Sequence, residues 1–391
     1  MNKKSFTSPL LKNDGFKAAL PALISIGIGL LTGCLIILAV AVSDPEITMK
    51  SGLEAVKIIL FGTFTKGRDA AGKLVLSLSG SNAGDLLFRA TPVIMTGLSV
   101  AFAFRSGLFN IGAAGQYLMG TAATLTVALS LPLTIPRWLV WLIAFLCGMA
   151  AGALWGVIPG VLKAYLNINE VLSCIMTNWI AANAVTWFFE QSPLRNTLQS
   201  GKIGYIMPTS MAGVSTSRLG LDRIFPDSQV NGGIFLAIAF AVGVYILLSK
   251  TVPGFENRIC GSNREAARYA GINEKLLTVF SMAFAGALAA GGAALYYLSG
   301  GTEFYWSTYQ SLPREGFNGI PVALLASNNP LAVIFTGLFM SSLSAAGQQI
   351  KSLTSYNEFI TDIVIALIVY LSAFSFFISR LIASKKRKEV G

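Results

Sequence analysis

The chain has 391 residues, 54% of them hydrophobic and 12% charged, with a mean hydropathy of +0.65. A soluble globular domain is about a quarter charged, so this composition excludes one and points to a polytopic helical membrane protein. The net charge of +11 lies beside apolar runs rather than among stacking aromatics, which argues against a nucleic-acid partner. The sequence has no histidine, and Cys34, Cys147, Cys174 and Cys260 have no zinc-like spacing, which excludes a histidine general base and most zinc chemistry.

In chain order, Lys3, Lys4, Lys12 and Lys17 precede or enter a first apolar run at 19–42. That run contains imitations of a signal-peptidase site and a lipoprotein box, but its ~24 residues suit a membrane span better than a signal core. A polar stretch at 43–87 follows, in which Leu53, Val56, Ile59 and Leu60 have the spacing of a short surface helix. Apolar runs predict further helices at 88–105, 114–132, 138–163, 172–189, 232–249, 277–298, 331–347 and 360–380. A short apolar piece at 317–327, stopped by Asn328-Asn329-Pro330, predicts an interrupted helix, as does the segment after Gly107. Lys385, Lys386, Arg387 and Lys388 follow the last run. With the N-terminal lysines, they place both termini in the cytoplasm.

The expected architecture is all-α, a single transmembrane domain over 1–391 with about 8–10 spans, one or two of them interrupted. Segments 1–18, 250–275 and 381–391 are expected inside the cell, and 43–87 and 190–231 outside it. Gly148, Gly152, Gly156 and Gly160 recur every four residues, and Gly29 with Gly33 repeats the pattern. Such faces let helix backbones approach closely in lipid. Ile168-Asn169-Glu170-Val171-Leu172 is echoed by Ile272-Asn273-Glu274-Lys275-Leu276, each just before an apolar helix.

Three stretches carry candidate chemistry. Residues 103–120 read AFRSGLFNIGAAGQYLMG, placing an arginine, two amides and four glycines between apolar runs. Polar groups at bilayer depth must face protein or a water-filled path, so Arg105, Asn110 and Gln116 mark a packed junction or the wall of a route. Asn178 beside Trp179, within a span, poses the same choice. With Phe104 and Asn318 these residues form the candidate path: Phe104, Asn110, Gln116, Asn178, Trp179 and Asn318.

The loop KTVPGFENRICGSNREAARYAGINEK at 250–275 is the other informative segment. Ser262, Asn263, Arg264 and Glu265 fit a capping box, Ala266, Ala267, Arg268 and Tyr269 continue a helix, and Gly271 can close it. A two-turn helix is marginal alone and needs packing to hold it. No phosphate-binding Gly-x-x-x-x-Gly-Lys-Ser/Thr loop exists, so the chain has no such device for ATP.

Four segments together resemble the permease subunits of bacterial ATP-binding cassette importers of the nucleoside and simple-sugar family: 105–120, 169–178 (NEVLSCIMTN), 261–272 and 316–325 (GFNGIPVALL). The resemblance runs from about Leu87 to Tyr370. Members often carry an acidic residue where this chain has Ala114, so a carboxylate in the path is not expected there. The resemblance implies a multi-pass plasma-membrane permease that is not an enzyme and holds no cofactor, ATP being used by a partner ATPase. It further implies a second permease subunit, an external binding protein, and docking of 262–271 on the ATPase. The permeant it implies is a nucleoside or related sugar-bearing solute. The alternative is a self-contained ion-coupled carrier, a class that usually shows intramembrane carboxylates; here Glu170 and Glu190 stand only at span ends.

Overall fold

The computed structural model describes residues 14–70, 72–76, 79–199, 201–202, 204–306, 311–357 and 359–373. The lysine clusters at 3–12 and 385–388 lie outside the described residues. In chain order the elements are α1 (Asp14–Ser43), α2 (Met49–Phe61), β1 (Thr65–Arg68), β2 (Leu74–Leu76), α3 (Gly80–Arg105), α4 (Ala113–Ser130), α5 (Arg137–Leu166) and α6 (Glu170–Glu190). They continue with α7 (Leu221–Ile224), α8 (Gly233–Lys250), α9 (Val252–Ser262), α10 (Arg264–Tyr269), α11 (Glu274–Tyr297), α12 (Arg314–Leu325), α13 (Pro330–Leu353) and α14 (Phe359–Ala373). The protein is all-α apart from one antiparallel hairpin, β1–β2. Among the described residues, seven helices are long and apolar enough to cross a membrane: α1 from Ile24, α3, α5, α6, α8, α11 and α13. Within the described residues, each predicted apolar run falls on a helix.

Two compact units are present: the described residues up to 76 together with those from 342, and those from 79 to 341. In the first unit α1 and α14 meet through glycine. A Cβ built at Gly29 would stand 2.7 Å from the Ile368 backbone, and one at Gly33 would stand 2.7 Å from Val364. The Tyr356 hydroxyl donates to the Ile37 carbonyl at 2.6 Å. Helix α2 buries Ser51, Gly52, Ala55, Ile58 and Ile59. The expected stripe was therefore rotated, since Leu53 and Leu60 are exposed. Small residues win the inner face because Gly52 sits against Ala41 and Tyr356.

The second unit is organised around α11, which packs on α5, α3 and α4. Gly152 of α5 lies against Ala290 and the Gly286 carbonyl, and Gly156 against the Met282 carbonyl, so the two backbones touch directly. The every-fourth-residue glycine face thus performs close helix packing. The repeated Ile-Asn-Glu motif also has a local cause. Asn169 caps α6, accepting from Val171 N–H at 2.8 Å, and Asn273 caps α11, accepting from Leu276 N–H at 3.1 Å. An asparagine that satisfies a free helical amide is a strong start signal.

Helix α12 has 12 residues, a length of only ~18 Å. It is the interrupted element the sequence placed at 317–327. The Thr96 hydroxyl, midway along α3, donates to the Glu315 carbonyl at 2.9 Å, while Arg105 at the end of α3 donates to the Asn328 carbonyl at 3.0 Å. Helix α12 therefore covers only the half of α3 that leads to Arg105. The segment 191–231 holds one 3₁₀ turn and α7, and it packs back on the opposite end of α11. There Thr209 Oγ1 donates to the Tyr297 carbonyl at 3.2 Å, and Thr216 N–H donates to the Leu298 carbonyl at 2.7 Å.

Candidate functional site

The motif at 103–120 folds as a helix stop, a turn and a helix start. Gly107 has φ +71° and follows the last residues of α3. Its N–H donates to the Phe104 carbonyl and the Leu108 N–H to the Ala103 carbonyl, both at 3.0 Å. This pair of bonds is a Schellman closure, and the left-handed position favours glycine. Leu108 and Ala103 then share a buried cluster with Cys174, Met282 and Ala285.

Past this turn the polar side chains satisfy each other. Asn110, fully buried, donates through Nδ2 to Gln116 Oε1 at 2.8 Å and to Ser99 Oγ at 3.1 Å. Gln116 Nε2 donates back to Asn110 Oδ1 at 3.2 Å. Asn178 of α6 accepts from Gly115 N–H at 2.8 Å and donates to the Ile111 carbonyl at 3.0 Å. Gly115 is required beside it, since an added Cβ would stand 2.8 Å from Asn178 Oδ1. The result is a closed knot joining α3, α4 and α6, with buried amides paired as burial demands.

The structure does not bring the other candidate path residues to this knot. Trp179 is 50% exposed and lines a separate groove on α6 with Met176, Ile180 and Trp187. Phe104 is partly buried and packs on Phe109 with ring centroids 5.1 Å apart, beside the Arg105 end. Asn318 is partly buried on α12. Sequence neighbours such as Asn178 and Trp179 part because successive residues on a helix point in different directions.

A second polar region was missed by sequence reasoning. A cavity of about 280 Å³ lies between α4, α6, the end of α11, residues 302–306 and residues 311–315. Leu118, Ala182, Val185 and Thr186 form one side, and Tyr296, Tyr297, Phe304, Tyr305 and Trp306 form an aromatic side. Tyr297 and Phe304 meet edge to face at 5.5 Å, and Phe304 packs on Phe189 at 5.4 Å. Glu303 and Glu315 also line the cavity, with Glu303 paired to Lys202 at 2.8 Å. The Trp306 indole Nε1 is buried without a hydrogen-bond partner, as is the Tyr117 hydroxyl.

Besides Glu170 and Glu190 at span ends, the structure places a further carboxylate residue, Glu315, against the middle of α3. Its backbone is held by Thr96, which is about 14 Å along α3 from Arg105 at 1.5 Å per residue. The next residue, Gly316, packs on the Ala114 backbone, so nothing larger than glycine fits between α12 and α4. In sequence Glu315 reads as part of a polar loop. Only the half-helix carries it inward.

The loop at 250–275 contains two helices, α9 and α10. Asn263, not Ser262, caps α10 by accepting from Ala266 N–H at 3.1 Å, because Ser262 is still the last residue of α9. Gly271, at φ +78°, closes α10: its N–H donates to Arg268 at 3.0 Å and Ile272 N–H donates to Ala267 at 3.1 Å. That is a second Schellman closure. Ala267 is fully buried, so the outward face is Glu265, Ala266, Arg268 and Tyr269, with Tyr269 91% exposed. The outward face of α10 is therefore charged and aromatic as well as small. Arg264 is partly buried, while Ser262 and Asn263 are exposed. Helix α9 is joined to the motif turn at Gly261, which packs on Arg105 O and, at 2.7 Å for an added Cβ, on Gly107 N.

Residues 82–372 match the family described as "Branched-chain amino acid transport system / permease component". The chain is 32% identical to the guanosine ABC transporter permease protein NupP of Bacillus subtilis, over 82% of this chain and 94% of that protein. It is 35% identical to the nucleoside ABC transporter permease protein NupB of Lactococcus lactis, over 80% and 85% of the two chains. It is 30% identical to the glucose ABC transporter permease protein TsgB13 of Haloferax volcanii, over 87% and 89%. The chain belongs to this permease family and is a multi-pass membrane subunit of an ATP-binding cassette transport system, not an enzyme.

Proposed function

We propose that the chain forms the membrane path of a bacterial plasma-membrane importer for a nucleoside or related sugar-bearing solute. An external binding protein delivers the solute, a second permease subunit completes the membrane part, and a cytoplasmic ATPase uses ATP, which this chain does not bind. Two of the three relatives above are named for nucleosides or guanosine and one for glucose, which supports a sugar-bearing permeant. Membership of the family also sets aside the ion-coupled carrier.

The observation that carries the reading is the hitch between the outward-facing α10 and the core. Helix α10 is capped at both ends and presents Arg268 and Tyr269 to solvent. It follows α9, whose Gly261 rests on the turn after α3. A push on α10 therefore reaches the knot of Asn110, Gln116 and Asn178 through backbone contacts. In this reading those three amides hold the turn rigid, and the basic end at Arg105, Lys163, Lys250 and Lys275 faces the cytoplasm.

Arg268→Glu tests the coupling. Charge reversal on an interface opposes its partner, so ATP-dependent uptake should fall by roughly tenfold or more while membrane insertion stays normal. Uptake that survives this change and Tyr269→Ala together would remove the docking assignment. A single cysteine in place of the exposed Ser217, in a cysteine-free background, should react only from outside the cell. Labelling confined to the cytoplasmic side would reverse the orientation.

A further inference from the structure

The cavity beside α12 combines two kinds of wall. One is apolar and aromatic, built from Leu118, Val185, Tyr297, Phe304 and Trp306. The other carries the Glu315 carboxylate at the start of a half-helix. A carboxylate at this depth is costly and marks a functional site by default. Arg89 and Arg314 are the cations whose fields reach it. A plain hexose offers no flat conjugated ring to the aromatic side of Tyr297, Phe304 and Trp306. A solute with a flat, weakly polar part and a compact hydroxylated part matches both walls. The volume of about 280 Å³ is near the lower end of small-molecule sites, ~300–1,000 Å³, and suits one such molecule.

We infer that this cavity is a binding station for a ribonucleoside within a single permease subunit. Glu315 accepts hydrogen bonds from the 2′- and 3′-hydroxyls of the ribose, and the Tyr297, Phe304 and Trp306 cluster packs on the base. Carboxylates accept two hydrogen bonds at once and so suit a vicinal diol. Aromatic faces hold any base without reading its edge. The inference rests on the nucleoside reading above and adds to it the diol as the feature this chain recognises.

The test uses the purified permease–ATPase complex in lipid nanodiscs without the external binding protein, so that only the membrane part selects. Radiolabelled guanosine should bind and be displaced by guanosine far better than by 2′,3′-dideoxyguanosine. Glu315→Gln should cut this preference by about tenfold or more, the loss expected for a charge-assisted hydrogen bond. Phe304→Ala should weaken both ligands equally. Should Glu315→Gln not fold, a Thr302→Cys reporter in a cysteine-free background replaces it, since Thr302 lines the cavity. Guanosine should protect that cysteine from alkylation, and dideoxyguanosine should not. If guanosine binds but Glu315→Gln keeps the diol preference, or Thr302→Cys is alkylated equally with and without guanosine, the station is overturned and the nucleoside reading stands. If the wild-type complex neither binds nor imports any nucleoside, both fall.

Discussion

The knot at Asn110, Gln116 and Asn178 and the cavity beside α12 both lie inside the second unit, and they use polarity in opposite ways. In the knot every amide is spent on another protein group, at 2.8–3.2 Å, with no space left over. In the cavity the Glu315 carboxylate residue borders open volume, and the Trp306 indole N–H in the wall is buried without a partner. The polar residues clustered in sequence here satisfy one another. Residues four to six positions apart across a turn readily find each other, and their hydrogen bonds then hold the turn.

The knot is most vulnerable where its turn meets α9. Gly261→Val would drive a side chain into the Arg105 carbonyl and the Ser106–Gly107 backbone. Overpacking costs about 1–3 kcal/mol and more where only backbone can yield, so the variant should insert poorly and lose most of its yield of folded protein. A normal thermal midpoint would show that the turn and α9 are not locked together.

Asn178→Ala comes next. It leaves Gly115 N–H and the Ile111 carbonyl unpaired in a buried place, a cost of about 1–3 kcal/mol. Thermal unfolding in detergent should register it, while the surviving protein keeps its preference for guanosine over the dideoxy analogue. Glu315→Gln should show the reverse, with little change in midpoint and a lost preference. An exchange of these two patterns would mean that the knot binds permeant and the cavity is packing.

Asn110→Ala and Gln116→Ala should be strongly non-additive. Their mutual pair of hydrogen bonds predicts a coupling of about 0.5–3 kcal/mol in a double-mutant cycle on stability. Simple additivity would dissolve the knot into independent residues.

The smallest effect is a control in the first unit. The hydrogen bond from Arg68 holds the Glu54 carboxyl below its ordinary range, with the charges of Arg68, Lys50 and Lys57 adding to it against desolvation. A carboxyl with a depressed folded-state pKa contributes fully above its unfolded value and loses that contribution as pH falls through the folded value. The thermal midpoint of the wild type should therefore drop on acidification by slightly more than that of Glu54→Gln, a difference of about 1 kcal/mol or less for a partly exposed pair. A larger drop in the variant would reverse the sign.

Much of this was legible from the residues. Apolar run length determined where the helices lie, because a bilayer imposes a minimum span and forbids unpaired backbone. Gly271 announced a helix stop, because capping is a contact between residues a few positions apart; the Ile-Asn-Glu echo stood before two helices, and the structure gave it the same cause. The motifs of the permease family, local in sequence, were visible for the same reason. Tertiary structure decided whether a polar group has a partner. It turned Asn178 toward Gly115 and Trp179 toward the outer groove, turned Ala267 inward, and carried Glu315 on a half-helix to the middle of α3. Those outcomes depend on which backbones approach which. That approach is set by glycine contacts between residues far apart in the chain, as at Gly152 with Gly286 and Gly316 with Ala114.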